Sequence, residues 1–567
     1  MNADRYPQPG SIAGGGMWSD PYGRRGQTFP TLPAEMVDRV RQYGHEDRFD
    51  GGTYLYRWGD RSVDFFLILD GAIDVLESDG HGGNIVVTTH HSNQFTGELN
   101  LLDERAAVVS ARASRPTRVV RVPRARFRRM VSAEPDICEI ILRAFILRRM
   151  DLIRQSEAGT ILVGSTHSAE TLRIQRFLMR NGYPYQFLDI EASPDARTAL
   201  ESLHLNAKSL PVVIIDGEKV VRRPANAELA DALGITEELN PRRVYDVAVV
   251  GAGPAGLATA VYAASEGLDT IVIEAIAPGG QAGSSSRIEN YLGFPMGISG
   301  QALAERALVQ AQKFGARLVV ARPATSLDCG ALPFRLRLAG QTTIAARTVV
   351  VASGARYRRL DVPDLGRFDG QGVYYAATSL EGGLCRGSEV VVVGGGNSAG
   401  QAAMFLSGEA RHVHMLVRGE GLAETMSDYL VKRIEDSPRI TVRLRSKVTA
   451  LVGDKYLAAV RWRERGGNET EHSVSNLFLM IGADPNTDWL NGCVALDAQG
   501  FVETGHILTG GMKTTPYATS VPGVFAVGDV RANSVKRVAS SVGEGSVVVH
   551  AIHAWLARFH AAERLSE

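Results

Sequence analysis

Cysteine is scarce in this chain, whose 567 residues contain only four, Cys138, Cys329, Cys385 and Cys493. They are scattered, and no two of them form a Cys-x-x-Cys pair. The spacing therefore predicts neither a disulfide framework nor a zinc site, and no other metal site is expected. A chain that does not depend on disulfides suits a reducing compartment, so we expect a cytoplasmic protein.

An excess of either charge is also lacking, because Lys plus Arg and Asp plus Glu both number 62. This balance gives no support for nucleic acid or a membrane surface as a partner. No apolar run reaches the roughly 18 residues that a membrane-spanning helix needs. What is present is ordinary globular composition, 44% hydrophobic and 22% charged, over a length that suits about four domains.

The chain divides into a tail and three blocks. Residues 1–28 are rich in Gly, Pro and Ser and are predicted to be disordered. Residues 29–157 show short alternating strands with Asp-Gly turns, typical of an antiparallel barrel, and end in a long helix. Residues 158–237 predict a small α/β domain. Residues 243–567 alternate strands with helices around two glycine-rich turns, which predicts two doubly wound domains.

The first glycine-rich turn follows a short β-branched strand at 247–250 and leads into a helix at 257–266. Its first glycine makes the tight bend, its second lets the backbone approach a pyrophosphate, and its third lets helix and strand pack closely. A second strand ends at Glu274, 23 residues after Gly251, where a carboxylate can bind adenosine ribose hydroxyls. The residues predicted to form this site are Gly251, Gly253, Pro254, Ala255, Gly256 and Glu274.

The second glycine-rich turn follows four consecutive valines at 390–393. Its predicted site residues are Gly394, Gly396, Asn397, Ser398 and Ala399. The next strand ends at Val417 and Arg418 with no acidic residue at the ribose position. An arginine there can meet the 2′-phosphate of NADPH, and the alternative is that Arg418 is an ordinary solvated surface residue.

From residue 244 onward, about 320 residues resemble thioredoxin reductase. The most diagnostic segments lie at 279–281, 288–295, 352–355, 481–487 and 523–529. The resemblance implies an FAD domain at 243–358 and 490–567, with an NAD(P) domain at 359–489 inserted in it. It implies further flavin-site residues at Gly280, Gln281, Asn290, Gly354, Gly528, Asp529, Arg537, Val538 and Ala539.

The resemblance fails at the redox centre. Where that family carries Cys-Ala-Thr-Cys, this chain has Ala376, Ala377, Thr378 and Ser379. The thiolate is the nucleophile of disulfide exchange, and neither Ala nor Ser replaces it. The family's arginine-rich NADPH signature is also reduced here to Arg418, which predicts weak discrimination between NADPH and NADH.

The barrel block resembles a cyclic-nucleotide-binding domain at residues 95–102 and 105–107. The resemblance gives Glu98 the ribose 2′-hydroxyl and Arg105 the cyclic phosphate of cAMP or cGMP, helped by backbone N–H groups. The cassette residues are Gly97, Glu98, Leu99, Arg105 and Ala106. The alternative is an inherited barrel that no longer binds a ligand. The long helix that follows commonly dimerises in that family, so a homodimer is expected.

The small domain resembles glutaredoxin. Residues 209–217 match the stretch that carries a cis-proline in thioredoxin-like folds, but Ser168 and Thr171 stand where the two cysteines belong. This absence favours a spacer or docking role over a redox role.

The function that these features favour is an FAD-dependent NAD(P)H oxidoreductase, regulated by a cyclic nucleotide, that passes electrons to an external acceptor. The acceptor is left open between a quinone, a ferredoxin, oxygen and a protein. Two alternatives remain. One is thioredoxin-disulfide reduction, for which Cys385 is the candidate thiol, and the other is a slow-turnover flavoprotein that senses redox state or nucleotide.

Overall fold

The computed structural model describes residues 25–566, apart from 79–82, 98–100, 103–104, 156–158, 194–208, 217–218, 286, 455, 465, 468, 491 and 506–514. Residues 1–24 of the predicted disordered tail therefore lie outside the described residues. The last four residues of that tail, Arg25–Thr28, form a helical turn (α1), and Thr28 is buried. The predicted tail is thus wrong for these four residues, because their turn packs against the barrel block.

The first block is an antiparallel barrel built from two four-stranded sheets, with strand orders β1-β8-β3-β6 and β2-β7-β4-β5. Alternating apolar side chains fill it, and Phe65 and Phe95 are fully buried. Its elements are α2 (Ala34–Arg41), β1 (His45–Phe49), β2 (Tyr54–Tyr56), β3 (Phe65–Asp70), β4 (Ile73–Ser78), β5 (Asn84–His90), β6 (Phe95–Thr96), β7 (Ser110–Ala113), β8 (Thr117–Val122), α3 (Arg124–Ala133) and α4 (Pro135–Gln155).

The small second domain is a four-stranded mixed sheet. Its elements are β9 (Thr160–Gly164), α5 (Ala169–Arg180), β10 (Gln186–Asp189), β11 (Val212–Ile215), β12 (Lys219–Arg222) and α6 (Asn226–Ala232). The strand order is β10-β9-β11-β12, with β10 parallel to β9. The strand at Thr160–Gly164 and the helix at Ala169–Arg180 agree with the α/β character predicted for this block. The Leu210–Pro211 peptide bond is cis.

The first dinucleotide domain contains a seven-stranded sheet of order β15-β14-β13-β18-β17-β16, with β29 paired to β18. Strand β13 carries the β-branched run and is almost entirely buried, as a central parallel strand requires. The elements are β13 (Val244–Val250), α7 (Pro254–Ser265), β14 (Thr270–Ile273), α8 (Gly300–Lys313), β15 (Arg317–Val319), β16 (Ala324–Asp328), β17 (Phe334–Leu338) and β18 (Thr343–Val351), with β29 (Val524–Ala526) returning near the end of the chain.

The inserted domain has a parallel sheet of order β20-β27-β21-β22-β23 and a three-stranded antiparallel sheet, β24-β25-β26. A two-stranded ribbon of β19 and β28 joins the two dinucleotide domains. The elements are β19 (Ala355–Tyr357), β20 (Val373–Tyr374), α9 (Ser379–Leu384), β21 (Glu389–Val393), α10 (Asn397–Glu409), β22 (His412–Val417), α11 (Asp428–Glu435), β23 (Ile440–Leu444), β24 (Lys447–Gly453), β25 (Leu457–Arg463), β26 (Glu469–His472), β27 (Leu477–Leu479) and β28 (Ala483–Pro485), followed beyond β29 by the long helix α12 (Val538–Ser566). The predicted α/β multidomain fold is confirmed.

One expectation about the cysteines is wrong. Cys329 and Cys493 form a disulfide between residues 164 positions apart, with 6.1 Å between their Cα atoms. The fold brings the end of β16 against the segment after the 3₁₀ turn at Asp488–Leu490, a proximity that spacing in the sequence does not reveal. Cys138 and Cys385 are free and buried. Within the described residues, no helix is both long and apolar enough to cross a membrane.

Candidate functional site

The first glycine-rich turn needs its glycines for different reasons. Gly251 has φ +109°, and a Cβ there would lie 2.2 Å from the carbonyl oxygen of Ala352. A Cβ on Gly256 would lie 1.9 Å from the oxygen of Gly251, so helix α7 packs directly on the turn. A Cβ on Gly253 would instead meet nothing closer than Gly280, at 3.9 Å. The backbone at Gly253 therefore presents an open face, which a pyrophosphate can approach.

The start of α7 is fixed by Pro254 at its first turn and by buried Ala255. Helix α12 crosses α7 at close range, because a Cβ on Gly545 would lie 2.3 Å from the oxygen of Ala255. The free N–H groups and the dipole at this helix start favour negative charge. The turn therefore fits the pyrophosphate of a dinucleotide in both shape and charge.

Glu274 lies beside this turn, at the position that the sequence assigns to the adenosine ribose. It is buried, and its Oε2 accepts a 2.8 Å hydrogen bond from the N–H of Ala252. Its Oε1 accepts another, 2.9 Å long, from the N–H of Ile276. The carboxylate thus braces the loop between the turn and the segment that follows β14.

The segment with Gly280 and Gln281 borders the turn. The N–H of Gly279 donates to the oxygen of Ala252 at 2.7 Å, and Gly280 has φ +54°. The Nε2 of Gln281 donates to the oxygen of Ala355. Gly354 lies next to that contact and has φ +63°. Asn290, in contrast, is exposed.

Gly528 and Asp529 reach the same turn from the end of the chain. A Cβ on Gly528 would lie 2.9 Å from the Cβ of Ala255. The N–H of Gly528 donates to Oε2 of Glu544 at 2.6 Å, and Glu544 pairs with Arg531 at 2.6 Å. Burial raises the pKa of Asp529. Arg537 is exposed, and Val538 and Ala539 begin helix α12.

The structure therefore gathers most of the predicted FAD residues around one turn. Sequence reasoning missed the supporting pair of Glu544 and Arg531, and it missed the close crossing at Gly545. The only signal for these residues in the sequence was their position shortly after the Gly-Asp motif.

The second glycine-rich turn repeats this geometry with a difference. Gly394 has φ +141°, and a Cβ there would lie 2.3 Å from the oxygen of Met480. A Cβ on Gly396 would meet nothing closer than the oxygen of Thr425, at 3.7 Å. Helix α10 begins at Asn397, whose Oδ1 accepts from the N–H of Ser427 at 2.8 Å. This turn also leaves an open face.

The residues around this second turn are only partly those predicted. Ser398 is exposed in the first turn of α10, Ala399 is buried, and Arg418 is exposed beyond β22. Sequence reasoning missed Arg445, whose N–H donates to the oxygen of Gly419 at 3.1 Å and whose guanidinium pairs with Glu420. A second arginine thus lies at the same strand end.

The barrel contains a cleft. Gly97 lines it, together with Tyr56, Val75, Thr96 and Val109. Arg105 and Ala106 line a different cleft, where the barrel, the small domain and α8 meet. Glu98 and Leu99 lie outside the described residues. The structure thus does not place Gly97 and Arg105 around one cavity.

Comparison with known proteins identifies the second half of the chain. The sequence profile of the family described as pyridine nucleotide-disulphide oxidoreductase matches residues 245–545. The chain belongs to this family. A second profile, that of the cyclic nucleotide-binding domain, matches residues 46–134.

Individual members agree with this assignment. Thioredoxin reductase of Mycolicibacterium smegmatis is 34% identical over 317 residues, which is 55% of this chain and 97% of that protein. One component of the alkyl hydroperoxide reductase of Staphylococcus epidermidis is 30% identical over 348 residues, 60% of this chain, and the chain spans 66% of its length. The crystal structure of Lactococcus lactis thioredoxin reductase (FR conformation) superposes with a TM-score of 0.52 at 25% identity, covering 55% of this chain and 99% of that one.

Membership of the oxidoreductase family implies FAD and NAD(P)H as cofactors. The open glycine turns, with helix N-termini behind them, fit two dinucleotides. The thioredoxin reductase-like fold and the cyclic nucleotide-binding domain predicted from the sequence are confirmed. The small domain lies between the two matched regions, and neither profile covers it.

Residues 376–379, which align with the redox pair of thioredoxin reductases, lie at the N-terminal end of helix α9. Thr378 caps α9, and Glu381 closes the cap by accepting from the N–H of Thr378 at 3.0 Å. Glu381 is fully buried and pairs with Arg176 of the small domain at 2.7 Å. Ala376, at the first of the two cysteine positions, is half-buried.

The nearby thiol of Cys385 is poorly suited to replace the pair. Its Sγ donates to the oxygen of Glu381 at 3.1 Å, and the residue is fully buried. Burial, followed by the charges of Glu381 and Glu409, raises its pKa to about 12. At neutral pH Cys385 is therefore a protonated thiol and a weak nucleophile.

Proposed function

We propose that this protein is an NAD(P)H oxidoreductase in which electrons pass through bound FAD to an acceptor outside the chain. The observation that carries the proposal is that both dinucleotide turns keep their geometry while Ala376 and Ser379 occupy the thiol positions. A quinone, a ferredoxin, oxygen or a separate protein are the acceptor classes to test.

The residues of the chain contribute binding and orientation. When bound, FAD supplies the chemistry of accepting a hydride from the nicotinamide. The open faces at Gly253 and Gly396 would hold the two pyrophosphates, and the helix starts behind them would stabilise the negative charge. Holding two reactants in one orientation removes much of the entropic barrier to transfer.

The test is an anaerobic titration of the purified protein with NADPH or NADH, followed by re-oxidation with a panel of acceptors. Flavin reduction should end at two electrons per flavin, and quinones should re-oxidise it faster than disulfides do. The double variant Ala376→Cys with Ser379→Cys is the matched control and should take up four electrons. Robust reduction of thioredoxin by the unmodified protein would overturn the proposal.

We further propose that a cyclic nucleotide regulates this activity by binding to the barrel domain. Binding would change the contacts that Arg105 and Ala106 of its phosphate-binding cassette make with the small domain. The N–H of Ala106 donates to the oxygen of Gly234 at 3.1 Å, and Nη1 of Arg105 lies 3.5 Å from the oxygen of Asn181. Arg149, on α4, donates to the oxygen of Gly182 at 2.9 Å. A nucleotide that draws Arg105 towards the barrel cleft would change these contacts and favour another arrangement of the small domain.

Calorimetry with millimolar cAMP and cGMP tests this regulation. Arg105→Ala should weaken binding by roughly 1.5–3 kcal/mol, the value of a charge-assisted hydrogen bond. Arg118→Ala, which removes an exposed barrel arginine, should leave the affinity unchanged. Absence of heat and of a thermal shift with both nucleotides would support a barrel that has lost its ligand.

A further inference from the structure

One arginine of the small domain, Arg180, contacts the first dinucleotide site. Arg180 is the last residue of α5, and its Nη2 donates to the oxygen of Gly280 at 2.7 Å. Gly280 lies against the pyrophosphate turn, since a Cβ on it would be 2.9 Å from the Cα of Gly253. Only Gly280 therefore lies between the guanidinium of Arg180 and the open face at Gly253.

Among the residues that the structure describes, Arg180 has no carboxylate as an ion-pair partner. Burial lowers its pKa, and the charge of Glu274 is the largest influence in the opposite direction. Its buried Nε has no hydrogen-bond partner in the described part of the chain either. The Arg180 side chain is half-buried, and a partly desolvated cation without a paired anion favours a negatively charged ligand.

The end of α5 is also held firmly in place. The Nδ2 of Asn181 donates to the oxygen of Ile276 at 3.1 Å, and Nε2 of Gln301 donates to the oxygen of Arg180 at 3.3 Å. These bonds fix the helix end to the loop that follows Glu274 and to α8. Arg180 is thus pre-positioned, which suits a group that binds a ligand.

We propose that Arg180 is part of the FAD site, where it holds the turn at Gly280 in place and offers its guanidinium to the pyrophosphate. Arginine suits this role because its planar array of donors matches phosphate oxygens. The small domain, which lacks thiols, would then have the task of completing the flavin site. The inference rests on the proposed binding of FAD at residues 251–256.

The experiment measures FAD affinity of the deflavinated full chain by fluorescence quenching, at several salt concentrations. Arg180→Ala should raise Kd on the order of 10- to 100-fold, the range expected for a charge-assisted bond. Arg180→Lys should be intermediate. Arg180→Gln keeps a donor for Gly280 without the charge, and it should show both a raised Kd and a weaker salt dependence.

Arg173→Ala is the matched control, because Arg173 lies on the same helix but hydrogen-bonds within the small domain, to Asn226 and Pro224. It should leave the Kd for FAD unchanged. The thermal midpoint of the FAD-free protein should be similar in the Arg173 and Arg180 variants, which separates ligand binding from folding.

Two failures are distinguishable. An unchanged Kd in Arg180→Gln and Arg180→Ala, with stoichiometric FAD in the parent protein, would overturn the role of Arg180 alone. A parent protein that takes up no FAD would overturn the proposed function as well.

Discussion

The two glycine-rich turns have the same plan and differ at their third small residue. In the first turn this residue is Gly256, where a Cβ would lie 1.9 Å from a backbone oxygen. In the second it is Ala399, whose Cβ is accommodated 3.1 Å from where a Cβ on Gly394 would stand. Helix α7 therefore packs more closely on its turn than α10 does. The comparison shows that one sequence motif covers two different packing distances.

The surroundings of the two turns differ as well. The first is bordered by Gly280, by Glu544 with Arg531, and by Arg180 from the small domain, around the open face at Gly253. The edge of the second is open, and Arg418 is exposed there. An enclosed site suits a cofactor that stays bound, whereas an open one suits a cofactor that enters and leaves during each turnover.

The largest expected effect comes from placing in the first turn the alanine that the second turn has at its third small residue. Gly256→Ala should destabilise the protein by about 3 kcal/mol and abolish FAD retention, because the contact is with backbone that cannot move cheaply. The reciprocal change, Ala399→Gly, should cost about 1 kcal/mol through helix propensity. Thermal unfolding and flavin absorbance measure both. Equal losses in the two variants would contradict the difference in packing.

The next test uses the open faces. Gly253→Val should remove FAD binding, since the side chain would occupy the approach of the pyrophosphate, while the FAD-free fold keeps its stability. Gly396→Val should retain FAD and lose reduction by NAD(P)H. Flavin content and stopped-flow reduction distinguish the two outcomes. Stoichiometric FAD of normal affinity in Gly253→Val would rule out this assignment of the first turn.

A smaller effect is expected at the exposed edge of the second turn. Arg418→Ala should raise KM for NADPH more than KM for NADH, by roughly 5-fold at most, because exposed ion pairs contribute about 1 kcal/mol or less. The KM values of Arg445→Ala for the two cofactors provide the comparison, because Arg445 lies at the same strand end and pairs with Glu420. If Arg418→Ala affects both cofactors equally, Arg418 does not meet the 2′-phosphate.

The smallest effect concerns Asp529, an acid of the first site without a counterpart at the second turn. Burial raises its pKa above that of the unfolded chain. It therefore contributes stability below the ordinary Asp pKa near 4, and this contribution is lost as pH rises through the folded-state value. In urea unfolding of the FAD-free protein, the stability of the parent relative to Asp529→Asn should fall over that range. A stability difference between the parent and Asp529→Asn that stays constant over that range would contradict the raised pKa of Asp529.

Much of the site could be predicted because it depends on local backbone. Gly251 and Gly394 adopt left-handed conformations that only glycine takes readily, and each follows a buried β-branched strand. The strand and the glycine that follows it lie within about ten consecutive residues, so a local pattern reveals both. Glu274 could be placed for the same reason, since the length of one βαβ unit fixes its distance from the turn.

Contacts between distant segments could not be predicted in this way. The bond from Arg180 to Gly280 joins residues 100 positions apart, and the disulfide from Cys329 to Cys493 joins residues 164 apart. Neither periodicity nor spacing encodes such pairs. The same holds for Arg105, which a local motif assigns to the barrel cleft and which the structure places at the junction of three domains.

The amino-acid sequence by itself determined the two dinucleotide turns, the barrel and the loss of the thiol pair, because each depends on residue identity within a short segment. Only the tertiary structure decided how the small domain relates to the rest. Its helix α5 bonds through Arg176 to Glu381 of the inserted domain and through Arg180 to Gly280 of the first dinucleotide domain. The physical reason is that such bonds require packed domains, whose arrangement depends on all the buried surfaces together and not on any one motif.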